Sequence, residues 1–328
     1  MIESNYDLIL EKNPNKLLDY LDSGVLISNP KIINFYIPSF IPQKTKQYGK
    51  NFNLFQTYSI TGNKCSLKCN HCEGKILRSM QATPTPKILF DAAYNLKEKG
   101  GIGCLISGGS QLDGTINFKR FIPIIKRIKH ELGLTVFVHT GIINLDTAKE
   151  LKKAKIDLAL IDIIGSEKTI KKLKIKLQIK DYINSLKALQ EATLSFVPHV
   201  IVGLDDENLK SEFNALKIVS YTKPNAIVIL GFTPIYGTRM GNNQPADPKD
   251  IAKVLVASRI MFPKTPIALG CMRQRSKNQH ITEVSALKAG VKAIAYPTKE
   301  TIAYAKNNEY KIMYHPYCCA KIYSDFIS

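Results

Sequence analysis

FQTYSITGNKCSLKCNHCEGK, residues 55–75, holds the pattern around which the rest of the chain is read. Residues 55–62 are rich in aromatic and β-branched side chains, end on glycine and read as a strand. The strand runs straight into Cys65, Cys69 and Cys72, a CxxxCxxC triad on one loop. Thiolates are good ligands for iron–sulfur clusters, and three on one loop can hold three corners of a [4Fe–4S] cubane. The fourth iron then needs a ligand from outside the chain. Three other readings compete. A zinc site would want a fourth Cys or His, and His71 sits between Cys69 and Cys72. A redox pair would use Cys69 and Cys72 alone, in the wrong strand–helix context, and would leave Cys65 unexplained. The cysteines could also be incidental.

Outward from this loop the sequence alternates regularly. Residues 86–100 (PKILFDAAYNLKEKG) and 118–132 (FKRFIPIIKRIKHEL) read as helices, with a strand between them at 101–109 (GIGCLISGG). Further strands follow at 134–141, 156–165, 195–204, 226–234, 266–272 and 292–297, each an apolar run bounded by Gly, Pro or polar residues. Near-continuous apolar strands imply a parallel sheet covered on both sides. Eight βα units predict an α/β fold, a closed (β/α)₈ barrel with its chemistry at the C-terminal ends of the strands. The expected organisation is an N-terminal helical extension over residues 1–50, a barrel over 51–310 and a C-terminal tail over 311–328. Within the first part, NPKIINFYIPSFIP (29–42) reads as a Pro-containing link.

The chain has 328 residues, 45% hydrophobic, enough for a sizeable core. No apolar run approaches the ~20 residues of a membrane span, and the N-terminus lacks a signal peptide's basic start and apolar middle. The expectation is a soluble, cytoplasmic protein that does not engage a membrane. The net charge of +19 favours acidic partners. Its lysines are scattered over solvated helix faces such as 124–131 and 169–180, without interleaved aromatics, so nucleic acid is not expected. Seven cysteines in such a chain argue for metal or redox chemistry over structural disulfides.

CxxxCxxC after the first barrel strand resembles the radical S-adenosylmethionine (SAM) superfamily, and other segments match it in order. The resemblance implies that the open iron binds the methionine end of SAM, whose cleavage yields a 5′-deoxyadenosyl radical. Gly108 and Gly109 look like the glycine motif that contacts SAM's methionine amine, the missing side chains letting the backbone approach. The family's usual acidic residue after the glycines is absent, and Ser110 stands there. Asp162 is placed like a ribose-contacting residue, and VIVGLDDE (200–207) looks like the motif that packs against adenine. A lone Gly-Gly is more often a turn, and a lone Asp on a barrel strand is often structural. More narrowly, residues 50–320 resemble biotin-synthase-like proteins, above all the archaeal, two-protein type of lipoyl synthase.

That narrower resemblance implies sulfur insertion into an octanoyl chain, with a second, auxiliary [4Fe–4S] cluster sacrificed as the sulfur donor. Cys104, Cys271, Cys318 and Cys319 are the right inventory for it. Against this, Cys104 and Cys271 fit small buried hydrophobes, and Cys318 and Cys319 fit a vicinal disulfide or exposed thiols. The tail carrying the last two is expected to fold over the barrel mouth. Arg273, with Arg275 beside it, offers a fork for a carboxylate or a cluster ligand and is the candidate catalytic residue; a salt bridge is the plainer reading. His139 and His199 lie near the active face, His315 is isolated, and each reads first as a hydrogen-bonded structural group. Tyr236 lies near the mouth, where an aromatic also fits as simple packing. Expected partners are an octanoylated lipoyl domain or glycine-cleavage H protein, a paralogous radical SAM protein, and an electron donor such as a ferredoxin. Two other functions remain open: a one-cluster biotin-synthase-like enzyme for cofactor maturation or isomerisation, and a zinc- or nucleic-acid-binding protein.

Overall fold

The computed structural model describes residues 14–28, 31–37, 54–204, 209–275 and 278–326. Eleven strands cross them: β1 (Ile32–Tyr36), β2 (Phe55–Ser59), β3 (Gln81–Ala82), β4 (Gly103–Ser107), β5 (Thr135–His139), β6 (Leu158–Ile163), β7 (Phe196–Val202), β8 (Ile227–Gly231), β9 (Ile267–Leu269), β10 (Ala293–Ala295) and β11 (Lys311–His315). They form one sheet in the order β11-β1-β10-β9-β8-β7-β6-β5-β4-β2-β3, with every pairing parallel. All eight strands expected from the sequence are present, as β2 and β4 through β10. The sheet curls into a (β/α) half-barrel with helices along its outside. The hydrogen-bond ladder itself is open: among the described residues, β3 and β11 are its two edges.

Local sequence explains where the helices start. Thr85 accepts the Ile88 N–H at 3.2 Å and caps Pro86–Glu98, with Pro86 at the position that needs no N–H. Asn144 caps Leu145–Lys153 in the same way through the Thr147 N–H at 2.9 Å. Both helices bury an apolar face in the core, and strand alternation divides that core in two. Ala159 and Ile161 of β6 pack outward against the helices, while Leu158 and Leu160 point into the lumen.

Two segments differ from expectation. The stretch read as a link carries β1, which inserts between β10 and β11 with Ile33, Phe35 and Tyr36 fully buried. Pro30 and Pro38 lie outside this five-residue run and so do not interrupt its ladder. Of the expected N-terminal helices, Pro14–Leu18 and Asp19–Ser23 are described; residues 1–13 lie outside the described residues.

The tail does not lie over the mouth. After β11 it turns inward, and Cys318, Cys319, Ala320 and Ile322 pack in the lumen against Leu158, Val197 and Val228. Ala226, Ala268, Ala293 and Ala295 are small enough to leave room for it. Tyr317 meets Phe55 of β2 at 5.9 Å between ring centroids, and Tyr323 meets Phe137 at 6.4 Å. The tail thus bridges from the β11 edge toward the β2 side of the open ladder. Asp325 anchors it, accepting from Tyr36 Oη and Lys321 Nζ at 2.9 Å each. His315 is structural: it stacks on Tyr36 at 4.8 Å and lies 2.8 Å from Asn34 Oδ1. No helix among the described residues is long and apolar enough to cross a membrane.

Candidate active site

The cysteine loop leaves β2 and folds back on itself. Lys68, Glu73 and Gly74 adopt positive φ, and the Glu73 N–H donates to Cys69 O at 2.8 Å. The loop is held from three sides. The Ser66 N–H donates to Ser110 O at 2.8 Å, and the Asn70 N–H donates to Leu173 O at 2.9 Å. From the loop after β8, the Met240 N–H donates to Asn70 O at 3.2 Å and the Arg239 N–H to Glu73 Oε1 at 3.0 Å. Asn70, Glu73 and Ser110 are therefore positioning residues that the sequence did not single out for this role; their signal was adjacency to the cysteines and glycines. Tyr236, in the same β8 loop, is 93% exposed, so it is not packed among the described residues.

Gly109 makes a close approach within the chain itself. A Cβ there would lie 1.9 Å from Lys64 O and 2.6 Å from Cys65 Cα. Its N–H donates to Thr61 Oγ1 at 2.6 Å. The absent side chain lets the β4 loop close on the cysteine loop. Gly108 sits beside it, where a Cβ would come 3.1 Å from Ile60 and Thr61.

The three thiols are unequal. Cys65 Sγ lies 3.8 Å from Ser110 O. Cys69 and Cys72 share a hydrogen bond that drives Cys69 up and Cys72 down to about 4. His71 feels two opposed effects: burial lowers it, and the hydrogen bond and charge of Cys72 raise it further. Its Nδ1 is buried without a hydrogen-bond partner among the described residues. The three thiols do not converge on a point. Among the described residues, the one trio of Cys, His, Asp or Glu donors within 4.8 Å of one another is His139, Asp162 and His199. A mononuclear zinc site needs converging ligands, whereas a cluster takes one thiolate per iron. The donor set fits the cluster better than zinc.

Asp162 projects from β6 between His139 of β5 and His199 of β7, its direct register partner. Asp162 Oδ1 lies 3.4 Å from His139 Nε2 and 3.3 Å from His199 Nδ1. Burial opposes ionisation of Asp162, but the two imidazoles outweigh it and hold the carboxyl well below the usual range. For His139 burial is likewise outweighed, by the Asp162 charge, and its pKa rises; for His199 burial wins and its pKa falls. Of the expected adenine-packing segment, residues 205–207 lie outside the described residues.

Residues 59–216, which span this loop, both glycines and His139, Asp162 and His199, match the Radical SAM superfamily model. The matched stretch is just under half of the chain, and over it the chain is similar to the radical SAM superfamily. Among curated proteins, it is 23% identical over 271 residues to a biotin synthase of Buchnera aphidicola subsp. Acyrthosiphon pisum (strain APS), covering 78% of this chain and 77% of that protein. A biotin synthase of Francisella tularensis subsp. mediasiatica (strain FSC147) is 24% identical over 264 residues, covering 77% and 83%. Solved structures share the fold: methylornithine synthase has a TM-score of 0.59 at 15% identity, covering 90% of this chain and 82% of that one. The FeFe-hydrogenase maturase of Carboxydothermus hydrogenoformans has a TM-score of 0.60 at 17% identity, covering 90% and 74%.

A radical SAM protein implies a [4Fe–4S] cluster and SAM, and Cys65, Cys69 and Cys72 are the residues that would hold the cluster. The remaining cysteines divide. Cys271, Cys318 and Cys319 lie in the same lumen cluster, with the Cys319 thiol beside both others and pushed up by them and by burial. That contact lowers Cys271, helped by Arg273 and Arg275. Cys104 does not join them. It is fully buried on the opposite, helix-facing side of the sheet, where burial pushes its thiol up to about 12. Its neighbour Leu105 is the β4 residue that faces the lumen.

Arg273 also corrects the expectation. Its guanidinium donates to Glu283 Oε1 at 2.5 Å and to Ala295 O at 2.7 Å, with Gly270 O as a third acceptor. Both charged side chains of the pair are buried. Glu283 further accepts from Thr301 Oγ1 at 2.6 Å and Thr298 N at 2.8 Å. The two terminal nitrogens of the fork are spent inside the protein, tying the loop that carries Cys271 to β10 and its neighbouring helices, while Nε is buried with no partner among the described residues. Arg273 is a positioning residue here. Arg275 lies over the Tyr296 ring at 4.3 Å.

Proposed function

We propose that the chain is a radical SAM sulfurtransferase that inserts sulfur into an octanoyl chain on a lipoyl carrier domain. One observation carries the reading: Cys271 and the adjacent Cys318 and Cys319, 47 and more residues apart in sequence, meet in the barrel lumen. When bound, the Cys65–Cys69–Cys72 cluster with SAM would supply a 5′-deoxyadenosyl radical, and a second cluster on the lumen thiols would supply sulfur. The chain's own residues prepare both places. Asn70, Glu73 and Ser110 fix the first cysteine loop, and Gly109 lets it sit against β4. Arg273 and Glu283 fix the loop bearing Cys271. Asp325 and Tyr36 hold the tail so that Cys318 and Cys319 stay inside. Substrate placed between these groups is shielded from water by barrel and tail.

An acidic lipoyl domain or H protein suits a surface with net charge +19, and raised salt should weaken that encounter. A paralogous radical SAM protein would complete the pair of insertions, and a low-potential donor such as a ferredoxin would reduce the cluster. The test is anaerobic reconstitution followed by reductant, SAM and an octanoylated lipoyl-domain peptide. The expected result is 5′-deoxyadenosine together with a peptide mass gain corresponding to sulfur. SAM cleavage without thiolation of the peptide would remove the lipoyl reading. The curated relatives' name favours a second reading, biotin formation, and release of biotin by the reconstituted enzyme would select it.

A further inference from the structure

We propose that His139, Asp162 and His199 form a mononuclear site for a divalent first-row cation, zinc or ferrous iron, distinct from both groups of cysteines. The donors are two imidazole nitrogens and one carboxylate oxygen, a set that zinc and ferrous iron both accept. They converge: His139 Nε2 and His199 Nδ1 lie 3.4 and 3.3 Å from the same Asp162 Oδ1, and all three atoms fall within 4.8 Å of one another.

The separations admit an ion. A charge-assisted N–H···O bond closes to about 2.7–2.9 Å. These two contacts stop roughly half an ångström short of that. Metal–ligand bonds of ~2.0–2.2 Å place neighbouring ligand atoms about 3.0–3.5 Å apart around tetrahedral or octahedral geometry. The observed contacts have that spacing. The ligands also stand on three adjacent strands, β5, β6 and β7, rather than on loops. Such a frame holds ligand positions well. Three protein ligands leave coordination positions open, as in catalytic rather than structural sites. The Asp162 side chain is 42% exposed, so water or a substrate oxygen can reach the ion.

Two other uses of these residues make opposite predictions. If they only hydrogen-bond one another, or if Asp162 only contacts the ribose of SAM, no ion is retained. The experiment takes the full chain with its clusters reconstituted, removes loose metal with a chelator, and adds one equivalent of zinc. Expected after desalting is about one zinc per chain, with X-ray absorption showing nitrogen and oxygen scatterers only. His199→Gln and Asp162→Asn should each weaken zinc binding at least about 100-fold while cluster iron and visible absorption stay unchanged. An anaerobic repeat with ferrous iron distinguishes which ion binds more tightly. The proposal is overturned if the wild-type protein retains no zinc or iron beyond its clusters. It is equally overturned if sulfur appears at ~2.3 Å from zinc, the signature of cysteine capture, or if the substitutions leave retention unaltered.

Discussion

Arg273 shows how far a single residue's role depends on what surrounds it. From sequence it was a cation beside a cysteine; in the fold it is half of a buried ion pair with Glu283. Removing one member of such a pair strands the other charge, at a cost of about 3–5 kcal/mol. Arg273→Ala should therefore lower unfolding stability by that amount in denaturant titrations, whereas a purely catalytic arginine would leave stability unchanged. Asp162 gives a pH-dependent counterpart. Its folded pKa is held below 3.8, so it stabilises the fold above that value and loses this as pH falls. His139 is held above 6.5, so its contribution is complete below that pH and is lost as pH rises through the folded value. In metal-free protein, Asp162→Asn should accordingly lose most stability, relative to wild type, between about pH 4 and 6.5. The His139 resonance in the variant should also titrate below 6.5, because burial is then unopposed. A stability gap that does not vary with pH would contradict the pairing. The cysteine triad, Gly109 and Asp162 were each legible because spacing or strand position marked them. That Asp162 lies between two histidines was not, since the three residues are far apart in sequence and only strand register brings them level.

At the scale of elements, the loops reveal more than the strands. Gly109 is required by contact: an alanine Cβ would collide with the backbone of Lys64 and Cys65. Gly109→Ala should displace the cysteine loop and reduce iron at the first site, measured as iron per chain after reconstitution. Iron loading equal to wild type would show that the loop does not depend on this approach. The eight main strands could be read because each is a bounded apolar run. Strand β1 was hidden between prolines that lie just outside it, and β11 is too exposed along its length to give a buried-strand pattern. The tail's entry into the lumen left no sequence signal of its own. It depends on four alanines facing inward, and in sequence an alanine looks the same whether it fills a core or makes room in one.

At the scale of the whole molecule, the open parallel barrel and the inserted tail form one device. The sheet places the first cysteine loop at the C-terminal end of β2, and the tail carries Cys318 and Cys319 to Cys271 inside. Cys104, fully buried on the other side of the sheet, is excluded from that group by strand alternation. The central claim is that the chain holds two clusters, the second on Cys271, Cys318 and Cys319. It is tested most directly by iron and Mössbauer analysis of the anaerobically reconstituted Cys65→Ala/Cys69→Ala/Cys72→Ala variant beside wild type. The account predicts about eight irons per wild-type chain and about four in the variant, in a [4Fe–4S] spectrum. A variant that binds no iron would contradict it.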